Sequence, residues 1–156
     1  ISVDTRKSEV WDIAKQLGAD EVFKADDPNL IENLKNSTNG GVQYSFECAG
    51  SEKAMELGYK IIRRGGTLVS SGLSHPDKNF SIQHADIVAG EKTIKGSYLG
   101  SCVPDRDIPA YIELYKSGRL EVDRLMSNHI SLDQVNEGFD KLSEGSTVRQ
   151  VIMFDD

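Results

Sequence analysis

The run Val42-Gln43-Tyr44-Ser45-Phe46-Glu47-Cys48, closing on Ala49-Gly50, has the composition of a β-strand, and what flanks it decides the fold. Downstream, Glu52 to Ile62 reads as a helix, Arg64-Gly65-Gly66 as a turn, and Thr67-Leu68-Val69-Ser70-Ser71 as a second strand ending at Gly72. Upstream, Asn39-Gly40-Gly41 stops a helix that starts at Asp27-Pro28 and carries Leu30, Ile31 and Leu34 as its apolar stripe. Before it stands a brief strand, Glu21-Val22-Phe23. Still earlier, Val10, Trp11, Ile13, Ala14 and Leu17 recur at helical spacing between a capping Ser8 and a stopping Gly18. The chain opens on a short strand, Ile1-Ser2-Val3, that ends on Asp4.

Beyond Gly72 an irregular stretch with His75-Pro76 leads to a short helix near His84 to Ala89. A strand follows from Thr93 to Leu99, ending on Gly100. Arg106 to Ser117 reads as a helix with Ile108, Ile112 and Tyr115 on one side. Leu132 to Leu142 reads as another, introduced by Ser131 and Asp133, and Val148 to Phe154 as a final strand. Strands alternate with helices over roughly the first hundred residues. Hairpins are not joined by such long crossovers, so the strands should run parallel with helices on the sheet faces. The fold class expected is α/β: a partial Rossmann-type, doubly wound parallel sheet lacking its first strand, plus a C-terminal returning segment. Residues 1–98 would form the dinucleotide-binding domain and 99–156 the returning segment.

Bulk properties narrow the function. The 156 residues suffice for one domain with a real core, and 38% hydrophobic with 28% charged residues fits a globular protein. A net charge of −7 repels phosphate backbones, which argues against nucleic acid as a partner. No apolar run approaches the roughly 20 residues that span a bilayer, and no signal peptide is read, so no membrane partner is expected. Cys48 and Cys102 lack the paired spacing of a structural zinc site or a disulfide framework, and a cytoplasmic, reduced protein is expected.

In an open parallel sheet, ligands bind outside the carboxyl ends of the strands. Here those ends are Asp4, Cys48-Ala49-Gly50, Ser71-Gly72-Leu73 and Ser97-Tyr98-Leu99-Gly100. Small residues let a flat ligand approach the backbone, although glycines end strands in many proteins without function. An acid at the tip of the second strand accepts hydrogen bonds from the ribose hydroxyls of a dinucleotide and repels a 2′-phosphate, which favours NAD over NADP. The alternative for Asp4 is a surface aspartate that starts a turn, and the nearby Arg6 and Lys7 could instead accept a 2′-phosphate. The Gly-x-Gly-x-x-Gly fingerprint belongs about 20 residues before such an acid. Asp4 is too near the start of the chain for it to fit, so either the first strand and its phosphate loop lie outside these residues or the dinucleotide reading fails.

In order and spacing the sequence resembles the C-terminal half of medium-chain, zinc-dependent alcohol dehydrogenases, along its whole length. The resemblance is carried by Val3-Asp4, Leu17-Gly18-Ala19-Asp20, Gly40-Gly41-Val42 with Ser45-Phe46-Glu47, and Arg64-Gly65-Gly66-Thr67-Leu68-Val69. Gly72-Leu73, Thr93-Ile94-Lys95-Gly96-Ser97, Asn136-Glu137-Gly138-Phe139 and Val148-Arg149-Gln150-Val151-Ile152 continue it.

The resemblance implies a set of cofactor contacts. Asp4 would hold the adenosine ribose and Arg6 would line the adenine edge. Cys48, Ala49 and Gly50 would wall the adenine and ribose. Ser71, Gly72 and Leu73 would lie beside the nicotinamide. Backbone groups at Ser97 and Leu99 would hold its carboxamide, and Arg149 would reach the pyrophosphate. It implies NAD as cofactor, a small alcohol or aldehyde as substrate of the complete enzyme, and a homo-oligomer formed through the Thr93–Leu99 edge strand. In the family, zinc polarises the alcohol oxygen while hydride passes to the nicotinamide. The family's zinc ligands and proton relay fall before this part, so no catalytic or metal-ligating residue is expected among these residues, and the chain alone should be inactive. Cys48 and Cys102 do not match those ligands, and His75, His84 and His129 have no ligand partner at useful spacing. The alternative is a non-catalytic nucleotide-binding or dimerisation module. A methyltransferase, which also places an acid after its second strand, fits the motifs from Gly65 to Gly100 poorly.

Overall fold

Every strand pairing among the described residues of the computed structural model is parallel. The structure describes residues 1–4 and 8–154. It divides into two compact units, residues 26–102 and residues 1–25 with 103–156.

The unit 26–102 runs α2 (Leu30–Ser37), β3 (Val42–Glu47), α3 (Glu52–Ile61), β4 (Ile62–Ser70), α4 (His84–Gly90) and β5 (Thr93–Gly96), with strand order β3-β4-β5. Tyr44, Ser45, Phe46 and Glu47 stand opposite Thr67, Leu68, Val69 and Ser70, and Thr67 to Ser70 stand opposite Thr93 to Gly96. The expected turn Arg64-Gly65-Gly66 is instead an irregularity inside β4, because the register jumps from Val42 opposite Ile62 to Tyr44 opposite Thr67. Gln43 pins it, accepting from Arg63 Nε at 2.8 Å and donating to the Gly65 carbonyl at 3.3 Å.

The core of this unit is Tyr59, Ile62 and Leu68, with Val42, Met55, Ile82 and Ile87 packed around them. Gly58 lets α3 lie close on the sheet: a Cβ there would stand 2.8 Å from Leu68 Cδ1 and 3.1 Å from Ser45 Oγ. The face of β3 that turns inward is therefore the polar one. Ser45 and Glu47 are buried, while Tyr44 and Phe46 are 60% and 69% exposed. Beneath α3, the Lys92 ammonium lies 4.4 Å from the Tyr59 ring centroid and pairs with Asp86 at 3.0 Å.

In the other unit, β1 (Ser2–Asp4) pairs with β2 (Val22–Lys24), joined through α1 (Ser8–Gln16). In the doubly wound order the second and third strands pair, the fourth to sixth pair, and the first lies between the two sets. The β1-β2 and β3-β4-β5 pairings follow those two sets, and no strand among the described residues joins them. Later elements are α5 (Pro104–Lys116), β6 (Asn128–Ile130), α6 (Val135–Ser143) and β7 (Gln150–Ile152). β6 and β7 form a third sheet. Ser131 and Gln134 make a capping box ahead of α6. Gly138 brings α6 onto this pair, since its Cβ would meet Ile130 Cδ1 at 2.8 Å, and Gln150 Nε2 donates to the Gly138 carbonyl at 2.6 Å. These contacts account for two of the quoted motifs.

Candidate cofactor-binding crevice

Three adjacent parallel strands bring three carboxyl ends to one sheet edge, and hydrogen bonds continue the ladder past each strand. The Glu47 carbonyl accepts from Ser71 N at 2.9 Å and Gly72 N at 3.2 Å, and the Ser70 carbonyl accepts from Ser97 N at 2.8 Å. Cys48-Ala49-Gly50, Ser71-Gly72-Leu73 and Ser97 to Leu99 thus line a single edge. Cys48, Ala49, Ser71, Leu73 and Leu99 are exposed there, as contact with a flat ligand requires.

The first two turns touch through their glycines. A Cβ on Gly72 would lie 2.2 Å from Gly50 N, and one on Gly50 would lie 2.5 Å from the Leu73 carbonyl oxygen. Gly50 also has φ +66, a left-handed conformation that suits glycine. Under this contact sits Glu47, only 5% exposed. Its Oε1 accepts from Ala49 N and Gly50 N, both at 2.7 Å, and its Oε2 accepts from Ser70 Oγ at 2.8 Å. The turn after β5 has a different character. Leu99, Gly100 and Ser101 all take positive φ, at 47°, 69° and 55°, and Ser97 Oγ lies 3.1 Å from Ser101 Oγ. Two of these three residues carry side chains, each at a cost of about 1–3 kcal/mol.

Sequence reasoning missed Glu47 as more than part of a motif. Its signal was an acid at the last position of a strand, two residues after Ser45 on the same face. The small cavity beside it, ≈ 140 Å³, includes Gly50, Met55, Ser70, Gly72 and Phe80 in its lining. A larger cleft of ≈ 450 Å³ opens in the other unit, among Tyr115, Lys116, Gly118, Leu120, Glu121 and Arg124. It has none of the expected site residues in its wall, so the strand ends remain the better candidate.

The remaining expected residues lie in the unit formed by 1–25 and 103–156. Asp4 is the last residue of β1. Arg149 immediately precedes β7; its side chain is exposed, and its carbonyl accepts from Ser127 N at 2.7 Å. Arg6 lies outside the described residues. Among the described residues no three His, Cys, Asp or Glu side chains could together hold a metal ion, and Cys48 and Cys102 are free thiols. These residues do not fit a zinc site. No helix among them is long and apolar enough to cross a membrane.

Parallel strands linked by helices, with small residues at their carboxyl ends, define a Rossmann-type nucleotide-binding fold. Residues 1–117 match the family model described as zinc-binding dehydrogenase, and the chain belongs to this zinc-dependent, medium-chain alcohol dehydrogenase family. It is 32% identical over 155 residues to alcohol dehydrogenase 1 of Cenchrus americanus, covering 97% of this chain and 40% of that protein. The benzyl alcohol dehydrogenase structure from Acinetobacter calcoaceticus superposes with a TM-score of 0.90 at 27% identity, covering 98% of this chain and 42% of that one. The 2R,3R-butanediol dehydrogenase structure from Bacillus subtilis gives 0.79 at 28% identity, with 98% and 43% coverage. The chain therefore spans well under half the length of the proteins it matches.

Proposed function

We propose that this chain is the cofactor-binding part of an NAD-dependent, zinc-type alcohol dehydrogenase that interconverts small alcohols and aldehydes. The observation that carries the reading is the sheet edge where Gly50 and Gly72 meet, in a chain of this family. Bound there, nicotinamide supplies or accepts hydride. The residues of this chain bind and orient it. Asp4 takes the ribose hydroxyls and Arg6 the adenine edge, while Cys48, Ala49 and Gly50 wall the adenosine. Ser71, Gly72 and Leu73 flank the nicotinamide, Ser97 and Leu99 hold its carboxamide, and Arg149 reaches the pyrophosphate. On this reading residues 1–98 carry the dinucleotide domain and 99–156 the returning segment, in a cytoplasmic protein. In the family the zinc ligands and proton relay precede this part, so on this reading these residues place the cofactor, and the 156 residues alone would not turn over.

The charge of Asp4 selects NAD over NADP. The test titrates the protein, in its full encoded length, with both cofactors and repeats the measurement on Asp4→Ser. The preference for NAD should fall by on the order of tenfold, as charge-assisted bonds to the ribose are lost. An unchanged preference would remove Asp4 from the site.

A second reading, a module for association, is favoured by β5. It is the outer strand of the order β3-β4-β5 and its residues are exposed, so a second copy could pair along Thr93–Gly96; the strand expected to run to Leu99 stops at Gly96, because Leu99 to Ser101 turn away at positive φ. Sedimentation as a monomer at high concentration would defeat it.

A further inference from the structure

We propose that Glu47 is a positioning residue for the crevice: its carboxylate ties the turn after β3 to the end of β4, from which the second turn departs, and so fixes the gap in which the cofactor lies. This rests on the cofactor reading of the strand ends and adds to it a residue that need not touch the cofactor.

A carboxylate only 5% exposed must have its charge compensated locally. The Glu47 carboxylate is surrounded by neutral donors from one turn and from the end of the neighbouring strand. Ala49 N and Gly50 N come from the first, and Ser70 Oγ closes the second strand. The main-chain carbonyl of the same residue takes Ser71 N and Gly72 N. One residue thus gathers both turns through its backbone and its side chain. At the contact itself there is no side chain to set the spacing, because both partners are glycine: a Cβ on Gly72 would lie 2.7 Å from Gly50 Cα and 2.9 Å from Glu47 Oε2. Bonds to a charged acceptor are stronger than those between neutral groups, which suits a device that must hold two loops.

The same bonds shape recognition. The N–H groups of Ala49 and Gly50 would otherwise be available to a phosphate, as N–H groups at the ends of strands and helices commonly are. Glu47 occupies both. The turn after β3 is left to contact a neutral ring or sugar, and the pyrophosphate must be held elsewhere.

The test uses the full-length protein with NADH fluorescence titration and the steady-state KM for NAD. Glu47→Ala should weaken NADH binding by on the order of tenfold and raise the cofactor KM in parallel, with a smaller change in kcat at saturating cofactor. Glu47→Gln should restore most of the affinity, since its amide oxygen can accept from both N–H groups and the Ser70 hydroxyl can turn to accept from its amide nitrogen. Glu47→Asp keeps the charge but is one methylene too short to reach both the Ala49–Gly50 N–H groups and Ser70 Oγ, so it should bind more weakly than Glu47→Gln. A purely architectural role would lower the melting temperature of these variants while leaving the affinity of the folded protein intact. Folded Glu47→Ala protein binding NADH within about twofold of wild type would overturn the inference. Should the alanine variant not fold, equal affinity of the wild-type, Gln and Asp proteins would overturn it. Failure of the wild-type protein to bind either NADH or NADPH is a separate outcome that overturns the cofactor reading and this inference with it.

Discussion

Replacing Gly72 with alanine tests how tightly the two strand-end turns are joined. The added methyl would sit 2.2 Å from Gly50 N, 2.7 Å from Gly50 Cα and 2.9 Å from Glu47 Oε2. Gly72 is absent from the glycines at positive φ, so its backbone accepts alanine and the cost is steric. Non-bonded heavy atoms settle at about 3.5–4.0 Å, so the turns must part by roughly 1 Å. The Gly72 N to Glu47 O bond, already 3.2 Å, would not survive that movement. Overpacking costs about 1–3 kcal/mol and the lost bond about 0.5–1.5, which gives roughly 2–4 kcal/mol together. For a protein of this size that corresponds to a fall in Tm of roughly 4–16 °C. Cofactor affinity, measured well below the transition, should fall by on the order of tenfold as the crevice widens. Differential scanning calorimetry and NADH titration read the two effects. A Tm within about 1 °C of wild type, with unchanged affinity, would refute the reasoning: the turns would then be slack, and no contact there would set the gap. Gly50→Ala presses on the same junction from the other side, so the double variant should lose less than the sum of the two single effects.

Two further outcomes follow from the core beneath the crevice. Leu68 is fully buried, and Leu68→Ala should cost about 2–5 kcal/mol in urea denaturation, well above any exposed position of the same sheet. Lys92→Met should produce a stability gap that depends on pH. Hydrogen bonding to Lys92, opposed in part by desolvation, holds the Asp86 carboxyl below its ordinary 3.8. A carboxyl lowered in the folded state stabilises the fold above its unfolded value, and that contribution is lost as pH falls through the folded one. The difference between wild type and Lys92→Met in urea should therefore be full at neutral pH and narrow progressively below pH 3.8, with a remainder from the Tyr59 contact. A difference of constant size across that range would show that the ion pair contributes nothing.

The alternation of strands and helices was legible because it is local. Periodicity and glycine stops place α3 and α4 within a residue of their observed ends. What the sequence concealed depends on long-range contact. β6, Asn128–Ile130, is three residues long and largely polar; it is a strand only because β7 lies beside it. Arg64-Gly65-Gly66 has the composition of a turn, yet pairing of Ile62 with Val42 and of Thr67 with Tyr44 draws it into β4. In β3, hydrophobic alternation would turn Tyr44 and Phe46 inward. The close approach of α3 through Gly58 covers the other face, so Ser45 and Glu47 are buried instead. Along α5 the expected stripe of Ile108, Ile112 and Tyr115 is about half exposed, so its spacing revealed a helix without revealing a buried face. The residues at the ends of β3, β4 and β5 could be named in advance because parallel pairing carries them to one edge; Asp4, expected with them, ends β1 in a separate two-stranded sheet. The clamp beneath them could not, because it joins residues more than 20 positions apart: Ser70 to Glu47 across β3 and β4.

The crevice joins two demands that conflict in a chain of ordinary residues. A flat ligand needs bare backbone at the strand ends, which calls for glycine, alanine and serine. Such residues bury little apolar surface, so they contribute little packing to hold their own turns in place. Hydrogen bonds have to supply the rigidity, and they must do so from below, because bonds made from above would occupy the ligand's space. An acid at the last position of β3 meets that requirement. Its side chain points to the covered face of the sheet, its reach spans to β4, and its oxygens collect the donors that the short turn leaves without secondary-structure partners. The cost of burying its charge is offset by donors that the turns must satisfy in any case. Openness above the sheet edge and a buried carboxylate below it are thus two halves of one arrangement, and a change to either should be felt in cofactor affinity.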